Sequence, residues 1–173
     1  MKPNLTIKTL LTERAAQENI ITGYQVTEST ITIHLKPEVA PVYERPDCRE
    51  PVKVERHASE MLTIQGLGVQ GKALRYQVQR IRLGYLNDVG KFSTFSVPLP
   101  GIRTDVLVTD EVFDKMLYLN VDRNLPLPAV VEMLRDLYQV ETSSSALDRW
   151  KSSEAAALPS VGQLIQQLNE KKR

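Results

Sequence analysis

Metal binding is the first chemistry that the residue types suggest. Cys48, the only cysteine of the 173-residue chain, stands in the segment RPDCREP, where a metal knuckle would have a second cysteine at the position of Arg45. A structural zinc ion needs four nitrogen or sulfur ligands in a tetrahedron. Cys48 and the distant His34 and His57 do not supply that set, so we predict no metal site and no other cofactor.

The acidic residues do not form a catalytic pattern. They cluster at the start of a predicted helix, where carboxylates cap the helix and interact favourably with its dipole. These residues are Asp105, Asp110, Glu111 and Asp114. The sequence contains no phosphate-binding glycine loop, no H-E-x-x-H motif and no pair of nucleophile and base. We therefore predict that the protein is not an enzyme.

Basic residues are concentrated in the middle of the chain. The net charge is only +1, but residues 45–103 contain ten Lys and Arg against five Asp and Glu, while both flanks are mildly acidic. Such an asymmetry favours a local surface that faces phosphates. The candidates for phosphate contact are Lys72, Arg75, Arg80, Arg82 and Lys91. The alternative is a solvated sheet face whose charges discourage edge pairing.

A second group of candidates lies at the start of a predicted helix in VETSSSALDRWKSS. Helical spacing puts Ala146, Leu147 and Trp150 on its inward face. Hydroxyls near a helix start can reach phosphates or bases, and arginine can bind guanine through two hydrogen bonds. The residues offered to DNA are Ser143, Ser144, Ser145, Arg149 and Lys151. The alternative is that the serines only cap the helix.

β-Strand patterns position the basic residues. Residues 20–35 alternate apolar and polar, with many β-branched side chains, which predicts a β-hairpin. Its buried face would consist of Tyr24, Val26, Ile31, Ile33 and Leu35. Prolines end this segment near Lys36, and the β pattern resumes from 51 to 103. Between Val78 and Ile81 the apolar phase shifts, which predicts a bulge or a strong twist.

After residue 103 the pattern becomes helical in three successive segments. Thr109 or Asp110 would cap the first helix, and prolines would begin the second. Thr142 or Ser143 would cap the third. Three helices with tight connections are typical of a helix-turn-helix module. The tail PSVGQLIQQLNEKKR is predicted to be one more amphipathic helix, with an apolar face of Val161, Leu164, Ile165 and Leu168.

The order of these parts resembles the front half of insertion-sequence transposases of the ISL-three type, over roughly residues 18–153. That family has a hairpin, a knuckle C-P-x-C-G, a basic strand ending in R-x-R, a second knuckle C-x-x-C-G-K-x-F, the motif LPGI and a helix-turn-helix. The counterparts here are RPDCREP (45–51), VQRIRL (78–83), LNDVGKFSTF (86–95), PLPGIRTD (98–105) and LPAVVEMLRDLYQVETSSSALDRW (127–150).

The chain departs from the family pattern at both knuckles. The family's zinc-ligand positions carry over to Arg45, Cys48, Leu86 and Val89, so three of the four ligands are missing. We expect apolar packing of Leu86 and Val89 to replace the ion and to keep the ribbon shape, with Cys48 as a free thiol. The resemblance also implies a nuclease domain with a carboxylate triad, which the chain is expected to lack because it ends at Arg173.

These observations predict an α+β protein. A β-rich, metal-free, zinc-ribbon-like module would cover residues 1–103, a helix-turn-helix module 104–158 and a helical tail 159–173. The chain has no apolar stretch of membrane-spanning length and no signal peptide, so a cytoplasmic protein is expected.

The predicted function is non-catalytic binding of double-stranded DNA, by a protein derived from a transposase or accessory to one. The resemblance implies the terminal inverted repeats of insertion sequences as the target and a transposase catalytic subunit as a partner. The first alternative is a protein-interaction module, in which the C-terminal helices dock a partner chain or form a homodimer. The second is a decayed reading frame that keeps a residual fold.

Overall fold

The computed structural model describes residues 13–40, 42–44, 51–87 and 89–157 of the chain. They form an α+β fold, as predicted, in which a seven-stranded sheet is followed by three longer helices. The strands are β1 (Ile20–Val26), β2 (Thr30–Lys36), β3 (Val42–Glu44), β4 (Pro51–Lys53), β5 (Glu55–Val69), β6 (Lys72–Leu86), β7 (Phe92–Ser96), β8 (Ile102–Arg103) and β9 (Val108–Thr109). The helices are α1 (Arg14–Glu18), α2 (Asp110–Leu117), which continues into a π-helical turn (Tyr118–Asp122), α3 (Leu127–Tyr138) and α4 (Ser144–Ala157).

The predicted hairpin is present and is formed by β1 and β2. Thr27 and Thr30 close it around a two-residue turn. The Thr27 amide donates to the Thr30 carbonyl oxygen at 2.8 Å, and the Thr30 amide donates to Oγ1 of Thr27 at 3.0 Å. This turn sets the register in which Val26 lies opposite Ile31.

The buried face of this hairpin is smaller than predicted. Ile33 and Leu35 are buried, but Tyr24 and Val26 are 42% and 57% exposed. β1 is the outermost strand of the sheet, and the core beneath α1 reaches only Ile21 on that strand. The period-2 pattern therefore identified the apolar side of the strand correctly, but not how far the core extends.

β6 is the central strand of the sheet. β5 pairs with one of its edges in antiparallel fashion, while β2 and then β7 pair with the other edge. The full order is β1-β2-β6-β5-β9-β8, with β7 beside the second half of β6. β5 and β6 are joined by a tight turn at Gln70 and Gly71, both of which have positive φ. β3 and β4 form a separate two-stranded sheet.

The predicted shift of apolar phase in β6 is present, but of its two predicted causes, a bulge or a strong twist, the bulge is wrong. Pairing with β5 is continuous across residues 77–82. Since side chains alternate between the two faces of a strand, Tyr76 and Val78 are buried on one face, and Ile81 and Leu83 on the other. The sheet thus has apolar cores on opposite sides at the two ends of β6. The bulges of this hairpin lie in β5 instead.

The three predicted helices pack around a further core. Thr109, one of the two predicted caps of α2, accepts a hydrogen bond from the Val112 amide. Pro126 stands at the N-cap of α3, a proline lies in its first turn, and the helix ends at Gln139 with φ 56°. Their buried side chains are Val112, Phe113, Met116, Leu119, Val130, Leu134, Val140, Leu147 and Trp150. Among the described helices, none is long and apolar enough to cross a membrane.

The boundary predicted after residue 103 falls in a segment that contacts both parts of the fold. β8 ends at Arg103, and β9 pairs both with β8 and with Gln65 of β5. Leu67 of β5 packs against the helical core. The division into two modules stays a prediction, and the tail over 159–173 lies outside the described residues.

Candidate nucleic-acid interface

The predicted DNA-contacting helix is α4, and Ser143 is its N-cap. The Ser143 hydroxyl accepts a hydrogen bond from the Ala146 amide at 3.2 Å, and its carbonyl oxygen accepts one from the Leu147 amide at 3.0 Å. Oγ of Ser143 also lies 3.1 Å from Oγ of Ser145. Ser143 therefore caps the helix, and whether it also contacts DNA stays a prediction. A hydroxyl has one donor and two acceptor sites, so one site remains for a further contact.

α4 has an apolar side in the core and a polar side in solvent. Leu147 and Trp150 are buried, and the Trp150 ring stacks on Phe113 with 6.2 Å between the centroids. Trp150 is thus a core residue, as predicted. Ser145 and Arg149 are exposed, and Nε of Arg149 donates to the Ser145 carbonyl oxygen at 3.4 Å. The remaining predicted contacts on this helix, Ser144 and Lys151, are half-buried.

A cavity of about 430 Å³ opens beside the start of α4. Gln65 of β5 holds the chain there, because its side-chain amide donates to the Glu141 carbonyl oxygen and accepts from the Glu141 amide, both at 2.9 Å. Ser143 and Arg149 line the cavity, as do the carboxylates of Asp105 and Glu141. The cavity itself therefore carries mixed charge.

One face of the sheet continues from Gln65 as two rows of mostly polar side chains. Strand pairing places opposite one another, first, Gln25, Thr32, Arg75 and Gln65, and second, Gly23, His34, Gln77 and Thr63. We call the surface of these two rows the polar face. Neither row contains an acidic residue, so its only charge at neutral pH is positive.

The polar face meets the start of α4 at Gln65. Gln65 stands directly opposite Arg75 on β6 and also lines the cavity with Ser143 and Arg149. The structure therefore brings part of the predicted sheet site and part of the predicted helix site into one region.

Arg80 and Arg82 lie on the opposite face of β6 from Arg75. They are an odd number of residues from Arg75 in a strand that continues without a register shift. Arg80 forms an ion pair with Glu60, which stands directly across from it on β5. Nη2 of Arg82 donates to Oγ1 of Thr94 at 3.0 Å. The expectation that all three arginines share one surface is wrong.

The two predicted lysines lie next to turns, Lys72 at the start of β6 and Lys91 just before β7. Nζ of Lys72 donates to the carbonyl oxygens of Thr27 and Glu28, both at 2.6 Å, which ties the β5–β6 turn to the β1–β2 turn. Lys91 is exposed in the segment before β7, where its amide donates to Oδ1 of Asn87 at 2.8 Å. Lys72 thus has a structural role, and Lys91 is open to solvent.

The apolar packing that was expected to replace a zinc ion is contradicted by the exposure of its members. Leu86 and Val89 are 66% and 84% exposed, because they lie at the end of β6 and in the turn that follows, away from both cores of the sheet. Cys48 lies outside the described residues. Within the described ranges, no three His, Cys, Asp or Glu side chains are placed to hold a metal ion. His57 instead packs on Phe92, with 5.3 Å between the rings.

Sequence reasoning missed a buried carboxyl group at Glu13. This residue is 4% exposed, and its Oε1 accepts hydrogen bonds from the Leu67 amide at 2.6 Å and from the Thr109 hydroxyl at 3.1 Å. Burial raises the pKa of Glu13 to about 7, although the Leu67 bond acts in the opposite direction and lowers it. Burial also raises the pKa of Tyr76, whose hydroxyl lies beside this carboxyl. The segment around Glu13 has no periodicity that would have revealed its burial.

Charged groups link α1 to α4 across this region. The Arg14 amide donates to Oε1 of Glu111 at 2.6 Å, and its guanidinium lies 3.8 Å from Asp110. Arg103 contacts Asp110 at 3.5 Å and donates to Oε2 of Glu154 at 2.8 Å. Asp110 and Glu111 thus have structural partners, in agreement with their predicted role at the start of α2.

The comparisons with known proteins identify no relative. No protein-family model matches the chain, and neither a curated protein nor a solved structure matches it. The resemblance to insertion-sequence transposases therefore depends on the quoted motifs alone.

Proposed function

We propose that the protein binds double-stranded DNA without catalysing a reaction on it, through the polar face and the start of α4. The observation that supports this proposal is that Gln65 stands opposite Arg75 and lines one cavity with Ser143 and Arg149, next to a sheet surface without carboxylates. Arginine, hydroxyl and side-chain amide groups provide most protein contacts to phosphate oxygens.

The pairing state of the arginines favours this side of the sheet over the other. Arg75 and Arg149 have no ion pair among the described residues, whereas Arg80 is neutralised by Glu60. A free guanidinium releases counterions when it meets a phosphate. A guanidinium that is already paired must first lose its partner, so its net gain is smaller. The main contact is therefore assigned to the side of Arg75.

The phosphates are assigned to the exposed surface at the start of α4 and not to the cavity beside it. Asp105 and Glu141 also line the cavity, and their negative charge would repel anions there. Ser143, at the N-cap of α4, lies where the helix dipole also favours a negative charge, and the exposed Arg149 follows in the second turn. The backbone of a duplex would thus pass over the start of α4 and along the polar face.

The resemblance to transposases supports a narrower form of the proposal. The target would be the terminal repeats of an insertion sequence, and the partner would be a transposase catalytic subunit. A protein-interaction module is the second candidate function, favoured by the exposed outer strand of the sheet that is discussed below.

The test is a titration of a labelled DNA duplex with the full chain at several salt concentrations. The double variant Arg75→Ala/Arg149→Ala should bind more weakly and lower the slope of log K against log salt by about two, because each phosphate contact contributes about 0.9. The matched control is Arg80→Ala/Arg82→Ala, from the opposite face, which should keep the slope. The absence of binding at low salt, or a larger loss in the control variant, would contradict the proposal.

A further inference from the structure

The outer edge of β1 lacks the usual protection against strand pairing. Among the described residues β1 has a neighbour on one side only, and its sequence IITGYQV contains no charge and no proline. Proteins commonly protect such edges with charged residues or proline. The free edge of β5 follows that rule, because its first half carries Glu55, Arg56 and Glu60. The one irregularity of β1 lies between Ile21 and Gly23, so the residues after Gly23 form a regular edge.

The backbone of this edge has hydrogen-bonding groups that point outward. In an antiparallel pair, hydrogen-bonded and non-hydrogen-bonded residue pairs alternate. The Thr27 amide bonds to the Thr30 carbonyl oxygen, so Gln25, two residues earlier, also faces β2. The amide and carbonyl groups of Tyr24 and Val26 therefore point away from β2, towards the free side.

The side chains of the same two residues are apolar and exposed. Tyr24 lies opposite the buried Ile33, and Val26 lies opposite Ile31, so both continue the side of the sheet that carries the core. They remain 42% and 57% exposed because nothing described covers them. Outward backbone groups and uncovered apolar side chains thus coincide at the same residues.

We propose that two copies of the chain pair through β1, antiparallel to each other, about a two-fold axis at Gln25. In this register Tyr24 of each copy stands opposite Val26 of the other, and both pairs exchange amide and carbonyl groups. Their side chains form one apolar row that extends the cores of both copies. Because each β1 is used once, the assembly closes at a dimer.

A second copy fits this edge better than a charged peptide does. β1 carries no charge, so it offers no ionic attraction to an acidic or basic segment, and two identical strands place no like charges against each other. β-Strand addition derives its affinity from main-chain hydrogen bonds and its selectivity from side chains on alternate positions. Here those positions are Tyr24 and Val26, and the apolar Tyr24 of one copy would pack against the apolar Val26 of the other.

The dimer does not depend on the proposed DNA contact, so it is tested in the absence of DNA. Sedimentation of the full chain should show a mass that rises from monomer to dimer with concentration. Hydrogen exchange should show that the amides of Tyr24 and Val26 become protected over the same concentrations. Val26→Lys should weaken dimerisation at least tenfold, because it places two like charges in the interface between the two β1 strands. The matched control, Met61→Lys, changes another exposed apolar strand residue and should have no effect.

A cysteine at Gln25 tests the register itself. Residues that face each other at a non-hydrogen-bonded position have Cα atoms about 4.5 Å apart, which a disulfide can bridge. In a Cys48→Ser background, Gln25→Cys should form a disulfide-linked dimer under mild oxidation, while Thr63→Cys, from β5, should not.

Three results would overturn the proposal. The first is a chain that is monomeric at every concentration with unprotected amides at Tyr24 and Val26. The second is a monomer in which these amides are protected, which would mean that the edge is already covered within one chain. The third is a dimer that Val26→Lys leaves intact, which would place the interface elsewhere.

Discussion

Replacing Glu13 with glutamine tests whether this buried carboxyl group keeps its proton in the folded protein. Burial raises the pKa of Glu13 from 4.5 to about 7, and the nearby carboxylate of Glu111 acts in the same direction. The hydrogen bonds from Leu67 and Thr109 lower the pKa but do not offset burial. Glutamine has the same shape as the protonated acid, keeps an acceptor for the Leu67 amide and is neutral at every pH.

The direction of the pH effect follows from the two pKa values. Between pH 4.5 and about 7 the folded protein holds a proton that the unfolded chain has released. In that interval the contribution of Glu13 to the free energy of unfolding falls by about 1.4 kcal/mol per pH unit. The contribution is fully present below pH 4.5 and is lost as the pH rises through about 7. Over the whole interval the loss is about 3 kcal/mol.

The variant Glu13→Gln should not show this fall in the free energy of unfolding as the pH rises. It should match the natural protein in acid and be more stable above neutral pH, by up to about 3 kcal/mol. Denaturant unfolding measures the difference at each pH, with the fluorescence of Trp150 as the signal, because this residue is the only tryptophan and is buried against Phe113. Subtracting the two curves removes the contribution of the histidines. Glu132→Gln, an exposed carboxylate on α3, is the matched control.

The reasoning would be refuted by a stability difference that does not change with pH across this interval. It would also be refuted by a natural protein that gains stability relative to the variant as the pH rises. The first result would mean that the hydrogen bonds of Glu13 balance the effect of burial, and the second that they outweigh it; in both cases the carboxyl would be ionised in the folded protein at neutral pH.

Two further substitutions test local structure. Ser143→Ala should cost about 1 kcal/mol in unfolding free energy, because the Ala146 amide loses its cap; an unchanged stability would show that the cap contributes nothing. Gly101→Ala should cost on the order of 2 kcal/mol or more, because φ is +74° and the added Cβ would clash with the Ala15 backbone. Gly90→Ala, with φ +71° and open space around it, should cost less, and equal losses would contradict the role of the clash.

Elements with a local signal could be predicted from the sequence. The β1–β2 hairpin follows from alternation and a short turn, and the three helices follow from apolar spacing and from caps such as Thr109 and Ser143. These features depend on residues close together in the chain. For the same reason the assignment of Trp150 to the core was confirmed.

Features set by contacts distant in sequence could not be predicted. Glu13 is buried by β5, β6 and β9, which lie more than fifty residues away, and no pattern around residue 13 encodes that contact. The exposure of Leu86 and Val89 was missed because the expectation came from the positions of zinc ligands in a resembling family, not from a local apolar pattern.

Only part of the candidate site has the arrangement expected from the sequence. The alternation of side chains between the two faces of β6 explains which part. The sequence predicted phosphate contacts for Arg75, Arg80 and Arg82 and a bulge or a strong twist at the phase shift, and a bulge would have turned Arg75 and Arg80 to one side. In an unbroken strand the side chain of each residue is fixed by its position, odd or even. Arg75 therefore faces the same side as Gln65, while Arg80 faces Glu60.

The proposed dimer should strengthen the proposed DNA binding, whereas the dimer does not need the DNA contacts. Antiparallel pairing through β1 would join the two sheets around an axis that passes through the sheet, so the polar faces of both copies, with their Arg75 residues, would lie on the same side. A two-fold protein surface of this kind suits a DNA sequence with two-fold symmetry. Disruption of the β1–β1 interface by Val26→Lys should thus weaken DNA binding, because each protein molecule would then present one polar face instead of two. Replacement of Arg75 and Arg149 with alanine should leave the β1–β1 interface intact, because neither residue lies on β1.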